Sequence, residues 1–177
     1  HLRERGYDVV LYGATGFTGQ LTAEYLATHM TGSKLRWAIA GRNRDKLDAV
    51  KRGLLSFERK AESIGVLEAN ADSADSLDSL ARSTRVVITT VGPYARYGEP
   101  LVAACARAGT DYVDLTGEPE FVDRMIERYD ETARQSGARI VHCCGFDSIP
   151  HDLGAYFTVK QLPSDRPIVV EGFVRGG

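Results

Sequence analysis

The sequence predicts an α/β fold, a doubly wound parallel sheet with helices on both faces, and three observations carry that expectation. Apolar runs of strand length alternate with helix-period segments along the chain. Several runs, VVLY and VVITTV above all, are apolar on both alternating faces, as a strand covered by helices on each side must be. Three glycines, Gly13, Gly16 and Gly19, stand where the first apolar run gives way to the first amphipathic pattern. Alternating β and α then argues for parallel strands joined by helical crossovers.

Taken in order, the strand candidates are Asp8–Tyr12, Leu35–Ala40, Gly65–Ala69, Val86–Val91, Asp111–Leu115 and Arg139–Cys143. Helices are predicted over Gly16–Thr28, Arg44–Glu62, Ser73–Ala81, Glu99–Ala108 and Glu120–Gln135. Gly109 and Gly137 fall just past two of these helices, where a left-handed cap is wanted. After Ile149-Pro150 the pattern changes: Asp152–Leu162 reads as a helix, PSDRP as a turn and IVVEGFV as one more strand. A division into residues 1–150 and 151–177 is therefore expected. With no methionine at its start and a stop directly after a strand-like run, the chain reads as a fragment of a longer protein.

Composition narrows the function classes. At 177 residues, 43% hydrophobic and 26% charged, the chain is long enough for one globular domain with a sizeable core. A net charge of −2 gives no electrostatic reason to expect a nucleic-acid partner. No apolar run approaches the roughly 20 residues that span a bilayer, and no signal peptide is read at the start. A soluble, cytoplasmic protein is expected. The three cysteines, Cys105, Cys143 and Cys144, do not make a disulfide framework. A metal site would need His142, Cys143 and Cys144, with His151 as a further ligand. On a strand such neighbours point to opposite faces and cannot converge on one ion. No metal is expected, and the cysteines read as small residues closing a buried strand.

The glycine joint carries the chemistry. In the spacing G-x-x-G-x-x-G, Gly13 lets the chain turn tightly, Gly16 lets a phosphate approach the backbone, and Gly19 lets helix and strand pack closely. The free N–H groups and helix dipole of this stretch (Gly13, Ala14, Thr15, Gly16, Phe17, Thr18, Gly19) would attract a dinucleotide pyrophosphate. The competing reading is a tight turn made for packing alone. At the end of the second strand, an acidic residue would meet a free ribose hydroxyl and an arginine a 2′-phosphate. That position holds Gly41-Arg42, with Arg44 and Lys46 nearby. A guanidinium can grip phosphate with two bonds, so NADP(H) is favoured over NAD(H). Asp72, after the third strand, is placed toward the adenine side. Ligands of such a sheet lie across the carboxyl ends of its strands. Thr90, Val91, Gly92 and Pro93 are therefore expected on the nicotinamide side, with Tyr94 or Tyr97 facing the substrate.

The blocks YGATGFTG, AGR, TTVGPYARYGEPLVAACARAGTDYVDLTGE and GFDSIPHDLG together resemble the saccharopine dehydrogenase-like oxidoreductases. The wording is nearest to the branch that contains the mycobacterial trans-acting enoyl reductases. The resemblance covers nearly the whole chain. It implies an NADP-binding Rossmann domain with Gly13, Gly16, Gly19 and Arg42 at the cofactor. It also implies that a second, α+β domain follows, providing substrate contacts and homodimerisation, of which IVVEGFVRGG would be the truncated first strand. Saccharopine enzymes of this family handle an amino-acid conjugate; the enoyl-reductase branch reduces a carbon–carbon double bond in making polyketide-derived lipids. A small-molecule or acyl-thioester substrate, the latter carried by a polyketide synthase, would then be the partner.

Three functions compete at this point. The first is an NADPH-dependent reductase, inactive as this fragment alone, with Tyr94 as the sole candidate proton donor. The second is a dinucleotide-sensing or interaction module without chemistry. The third is a short-chain dehydrogenase, because Tyr156 and Lys160 spell Y-x-x-x-K and residues four apart share a helix face. Against the third, the pair follows the sixth strand candidate rather than the fifth. The serine expected upstream is replaced by Cys143 or its neighbours, Ser148 being too close, and Thr-Val-Gly-Pro stands where that family has Asn-Ala-Gly. The pair reads better as part of a helix leading into the absent domain.

Overall fold

Strands and helices alternate as β1 (Tyr7–Tyr12), α1 (Phe17–His29), β2 (Trp37–Gly41), α2 (Arg44–Leu55), β3 (Gly65–Glu68), α3 (Ala74–Ser83), β4 (Thr84–Thr89), α4 (Tyr94–Tyr97), α5 (Glu99–Ala108), β5 (Asp111–Asp114), α6 (Pro119–Ser136), β6 (Ile140–Val141) and α7 (Ile149–Lys160). The computed structural model describes residues 4–30, 34–56 and 58–174. The six strands form one sheet in the order β3-β2-β1-β4-β5-β6, and every pairing is parallel. The order reverses between β1 and β4, so the carboxyl ends of these two strands flank the switch point where a doubly wound sheet opens a crevice.

The apolar runs are buried on both faces, for the reason the sequence suggested. Val10 and Tyr12 of β1 join Val87, Tyr112 and the inward faces of α3, α5 and α6 in one core. Leu11, one residue over, points the other way into a second core with Ile39, Ala23 and Ala27 of α1, and Leu47 and Leu54 of α2. Each fully buried leucine contributes roughly 1.5–3 kcal/mol relative to exposure, so a strand with both faces covered gains from every residue.

Several boundaries differ from expectation, each for a local reason. The helix expected over Arg44–Glu62 ends at Leu55, and a 3-10 turn covers Arg59–Ser63. Gly53 weakens the last turn, and the Ser56 hydroxyl donates to the Gly53 carbonyl at 2.6 Å. β4 stops at Thr89 rather than Val91, because the Val91 N–H turns to the Thr89 hydroxyl, 3.3 Å away. The single turn α4 was not expected. β6 holds only Ile140 and Val141, so His142, Cys143 and Cys144 lie in a loop, not on a strand. The alternating-face argument against a metal therefore does not apply to them. Nor do they close a buried strand: Cys144 is exposed and Cys143 half-buried, at a left-handed φ of 60°. α7 begins three residues before its expected start. No strand forms over the described part of IVVEGFV; residues 168–174 are exposed, and a strand without a neighbour to pair has nothing to hold it.

The amino ends of the strands are closed by charge. Asp8 accepts from the Arg36 backbone and guanidinium and faces Arg85 at 3.7 Å, and Asp111 pairs with Arg139. Arg5, buried beside them, donates to the carbonyls of Ala81 in α3 and Ala108 in α5, at 2.9 and 2.7 Å. A cleft of about 800 Å³ opens at this edge, with the guanidinium groups of Arg85, Arg107 and Arg139 each facing a carboxylate. No described helix is long and apolar enough to cross a membrane.

Candidate cofactor site

At the opposite, carboxyl edge of the sheet lies a groove of about 290 Å³. Its first wall is the loop between β1 and α1. Gly13 has φ +93°, a region L side chains rarely adopt, and a Cβ there would sit 2.7 Å from both the Thr90 hydroxyl and a Val91 methyl. A Cβ on Gly19 would press into the Gly13 backbone, 2.8 Å from its carbonyl carbon, so the third glycine lets α1 close on the loop. Gly16 is the N-cap of α1 and brings no side-chain cap, and no acidic residue stands in the first turn. By contrast Asn43 and Ser73 cap α2 and α3 with their own oxygens. The N-terminus of α1 thus keeps donors and a positive dipole end facing the groove mouth.

Of the predicted loop residues, Gly13, Thr15 and Gly16 line the groove. Ala14 is fully buried and Gly19 packs against the loop, while Phe17 is 82% exposed and Thr18 is also exposed outside the lining. The second wall holds Gly41, Arg42, Asn70, Ala71 and Asp72. Arg42 is exposed, and no described residue holds its guanidinium. Arg44 is otherwise engaged, its side chain paired with Asp48 at 3.1 Å along α2. A phosphate at this corner would meet Arg42 first.

The third wall is Thr90, Val91, Gly92 and Tyr97. The Thr90 hydroxyl donates to the Gly13 carbonyl at 3.2 Å, which ties this wall to the first. Pro93 is exposed and lies beside the lining rather than in it. Tyr94 requires a correction. It is 4% exposed, its hydroxyl donates to the Thr89 carbonyl at 3.0 Å and accepts from the Leu115 N–H at 3.4 Å. Burial pushes this phenol up to about 12. It is a core residue with its proton committed, not a donor to a substrate. Tyr97, one turn on, is the tyrosine that reaches the groove. The sequence reading missed Tyr12, Asn70 and Ala71, although Asn70 and Ala71 adjoin Asp72 and follow a strand end like the other walls.

A model of the saccharopine dehydrogenase NADP binding domain matches residues 9–141, which include all three walls. The chain belongs to that family. A trans-acting enoyl reductase of Mycobacterium tuberculosis is 51% identical over 162 residues, 92% of this chain and 38% of that protein. A second M. tuberculosis protein, provisionally named a trans-acting enoyl reductase, is 53% identical over 152 residues, 86% of this chain and 35% of its own length. The chain thus spans just over a third of the curated relatives it matches. Apo saccharopine dehydrogenase (L-Glu forming) from Saccharomyces cerevisiae shares the fold, with a TM-score of 0.69 at 21% identity, over 88% of this chain and 31% of that one.

In this saccharopine dehydrogenase-type NADP-binding domain the short-chain dehydrogenase pair is not at the groove. Tyr156 is 60% exposed on α7, and Lys160 lies over its ring, 5.6 Å from the centroid. That is a cation–π contact on a surface helix. It does not place the ammonium at the phenol oxygen.

The carboxyl end of β5 carries a polar cluster that the sequence reading quoted in VDLTGE but did not interpret. Asp114, 3% exposed, accepts from the Tyr112 hydroxyl at 2.9 Å and lies 2.6 Å from Nδ1 of His142. Its other oxygen takes the N–H groups of Thr116 and Cys143, at 3.1 and 3.0 Å. A buried carboxylate needs such a full set of partners. These bonds draw His142 and Cys143 out of line with β6, which ends the strand early. The Glu118 carboxylate takes the N–H groups of Tyr94 and Ala95, each at 2.8 Å.

Proposed function

We propose that this domain is the cofactor-binding part of an NADPH-dependent oxidoreductase of the trans-acting enoyl reductase kind, reducing a carbon–carbon double bond in an acyl thioester. The observation that carries the proposal is the convergence of three walls on one groove: a helix N-terminus with no side-chain cap behind Gly13 and Gly16, an Arg42 that no described residue pairs, and the Thr90–Gly92 turn. The donor set fits the cofactor. Backbone N–H groups in the first turn of α1, just after Gly16, suit a pyrophosphate, Arg42 suits a 2′-phosphate, and the small Gly92 lets a flat ring lie close. Asp72 and Asn70 would flank the adenine end.

When bound, NADPH supplies the hydride. The chain's own part is to hold the phosphates against α1, to read the 2′-phosphate through Arg42, and to fix the ring end against Val91, Gly92 and Tyr97. With Tyr94 committed to the core, the proton donor lies outside these residues, in solvent or in a further part of the protein. Residues 151–177 would lead toward that part, which we also make responsible for substrate contacts and homodimerisation, with the acyl chain delivered by a polyketide synthase.

The test is a titration with NADPH and NADH followed through the single tryptophan, Trp37, which opens β2 four residues before Gly41. NADPH should bind at least about tenfold tighter than NADH, the discrimination a bidentate guanidinium–phosphate pair supports. Arg42→Ala should remove that preference while leaving the fold intact. No binding of either nucleotide to a folded sample sinks the proposal. Saturable NADPH binding without enoyl-thioester turnover in the longer protein would favour a sensing module instead.

A further inference from the structure

We infer that Glu118 is a positioning residue for the nicotinamide end of the groove, acting through the single helical turn α4. The inference rests on the NADP(H) reading above. α4 has four residues, too few to hold a helical turn by themselves. Its N-cap is Pro93, which offers no side-chain acceptor. The acceptor arrives from the far side of β5: the two Glu118 oxygens take one N–H each, from Tyr94 and Ala95, both at 2.8 Å. A carboxylate on the first N–H groups of a turn satisfies orphan donors and opposes the local dipole.

Glu118 is itself held. Its N–H donates to the Thr116 hydroxyl at 3.2 Å, and the Thr116 N–H donates to buried Asp114. The cap is therefore anchored to the end of β5 rather than to a free loop. The Tyr94 side chain fixes where α4 starts, through Thr89 and Leu115. The Glu118 cap fixes the direction of the turn, and so where Tyr97 faces one turn later. Tyr97 and the residues just before α4, Val91 and Gly92, form the third wall. Glu118 does not line the groove, so its effect on a ligand passes through α4.

The mechanism makes a distinction that loss of fold does not. A cofactor fragment such as 2′,5′-ADP carries the 2′-phosphate and adenosine but lacks the nicotinamide, and it depends on the Arg42 wall. Calorimetry of wild type, Glu118→Ala, Glu118→Gln and Tyr97→Ala with NADPH and with 2′,5′-ADP separates the two ends. Glu118→Ala should weaken NADPH about tenfold, the scale of losing a charged helix cap, with 2′,5′-ADP unchanged. Glu118→Gln keeps one acceptor oxygen and should fall between. Tyr97→Ala should reproduce the selective loss. Equal losses for both ligands in the Ala and Gln variants would reduce Glu118 to a stability element and overturn the inference. So would NADPH affinity that ignores Glu118 or Tyr97. Failure of the wild type to bind either ligand would overturn the NADP(H) reading, and this inference with it.

Discussion

At the residue scale, Gly13 shows how one position is constrained twice. Its φ of +93° is costly for any side chain, and its missing Cβ leaves the space that Thr90 and Val91 fill. Gly13→Ala must strain the backbone and push the third wall away together, at a cost of roughly 1–3 kcal/mol. A lowered melting temperature is expected, with NADPH affinity lost even where the fold survives. Gly16 behaves differently, since a Cβ there would make only ordinary contact, 3.5 Å from the Gly13 carbonyl. Gly16→Ala should leave stability nearly unchanged and act on ligand approach. Calorimetry of the two variants separates a glycine needed by the loop from one needed by the ligand.

At the element scale, the helix caps set up a comparison. Gly109 ends α5 at φ 67° and Gly137 ends α6 at φ 82°. Both should cost about 1 kcal/mol or more on substitution by alanine. A Cβ on Gly109 would also lie 2.8 Å from the Ser136 carbonyl, whereas Gly137 has open space. Gly109→Ala should therefore lower the denaturation midpoint further than Gly137→Ala. Both caps were legible in the sequence, as were all six strands to within two residues at either end, because their signals are local: a glycine after a periodic run, or an apolar stretch of strand length. What was not legible depends on partners distant in sequence. β6 ends early because Asp114, 28 residues before His142, captures the residues that would extend it. α4 takes its N-terminal cap from Glu118, 24 residues after Tyr94. Tyr94 and Tyr97 looked equivalent as residues to face the substrate. The Tyr94 hydroxyl is held in the core by the Thr89 carbonyl and the Leu115 N–H, while Tyr97 lines the groove.

At the scale of the whole molecule, the two edges of the sheet are built for different ends. Among the described residues, the carboxyl edge leaves Arg42 and the first turn of α1 without side-chain partners. The amino edge pairs its charges across strands, Asp8 linking β1 to Arg36 and Arg85 and Asp111 linking β5 to Arg139. The Arg36 side-chain hydrogen bond holds Asp8 down to about 2, with the Arg36 N–H and nearby Arg85 adding to it. Burial alone would raise Asp111, but bonds from the Arg139 side chain and backbone carry it below its ordinary value. Carboxylates with lowered folded values stabilise the fold above their unfolded range, and that stabilisation disappears as pH falls through the folded values. Stability should thus drop between about pH 4 and pH 2. Asp8→Asn should flatten that part of the curve, measured as denaturant midpoint against pH. An unchanged slope would mean that these pairs contribute little, as exposed pairs often do.

Arg5 gives the same edge a further property. One guanidinium closes the last turns of both α3 and α5, taking the Ala81 and Ala108 carbonyls, so these two helices share a stopper that neither possesses alone. Their ends cannot fray independently while it stays in place. Arg5, just before β1, is therefore part of what keeps α3 and α5 closed together. A shortened version of the domain that starts at β1 would retain every strand of the sheet and still lose that latch.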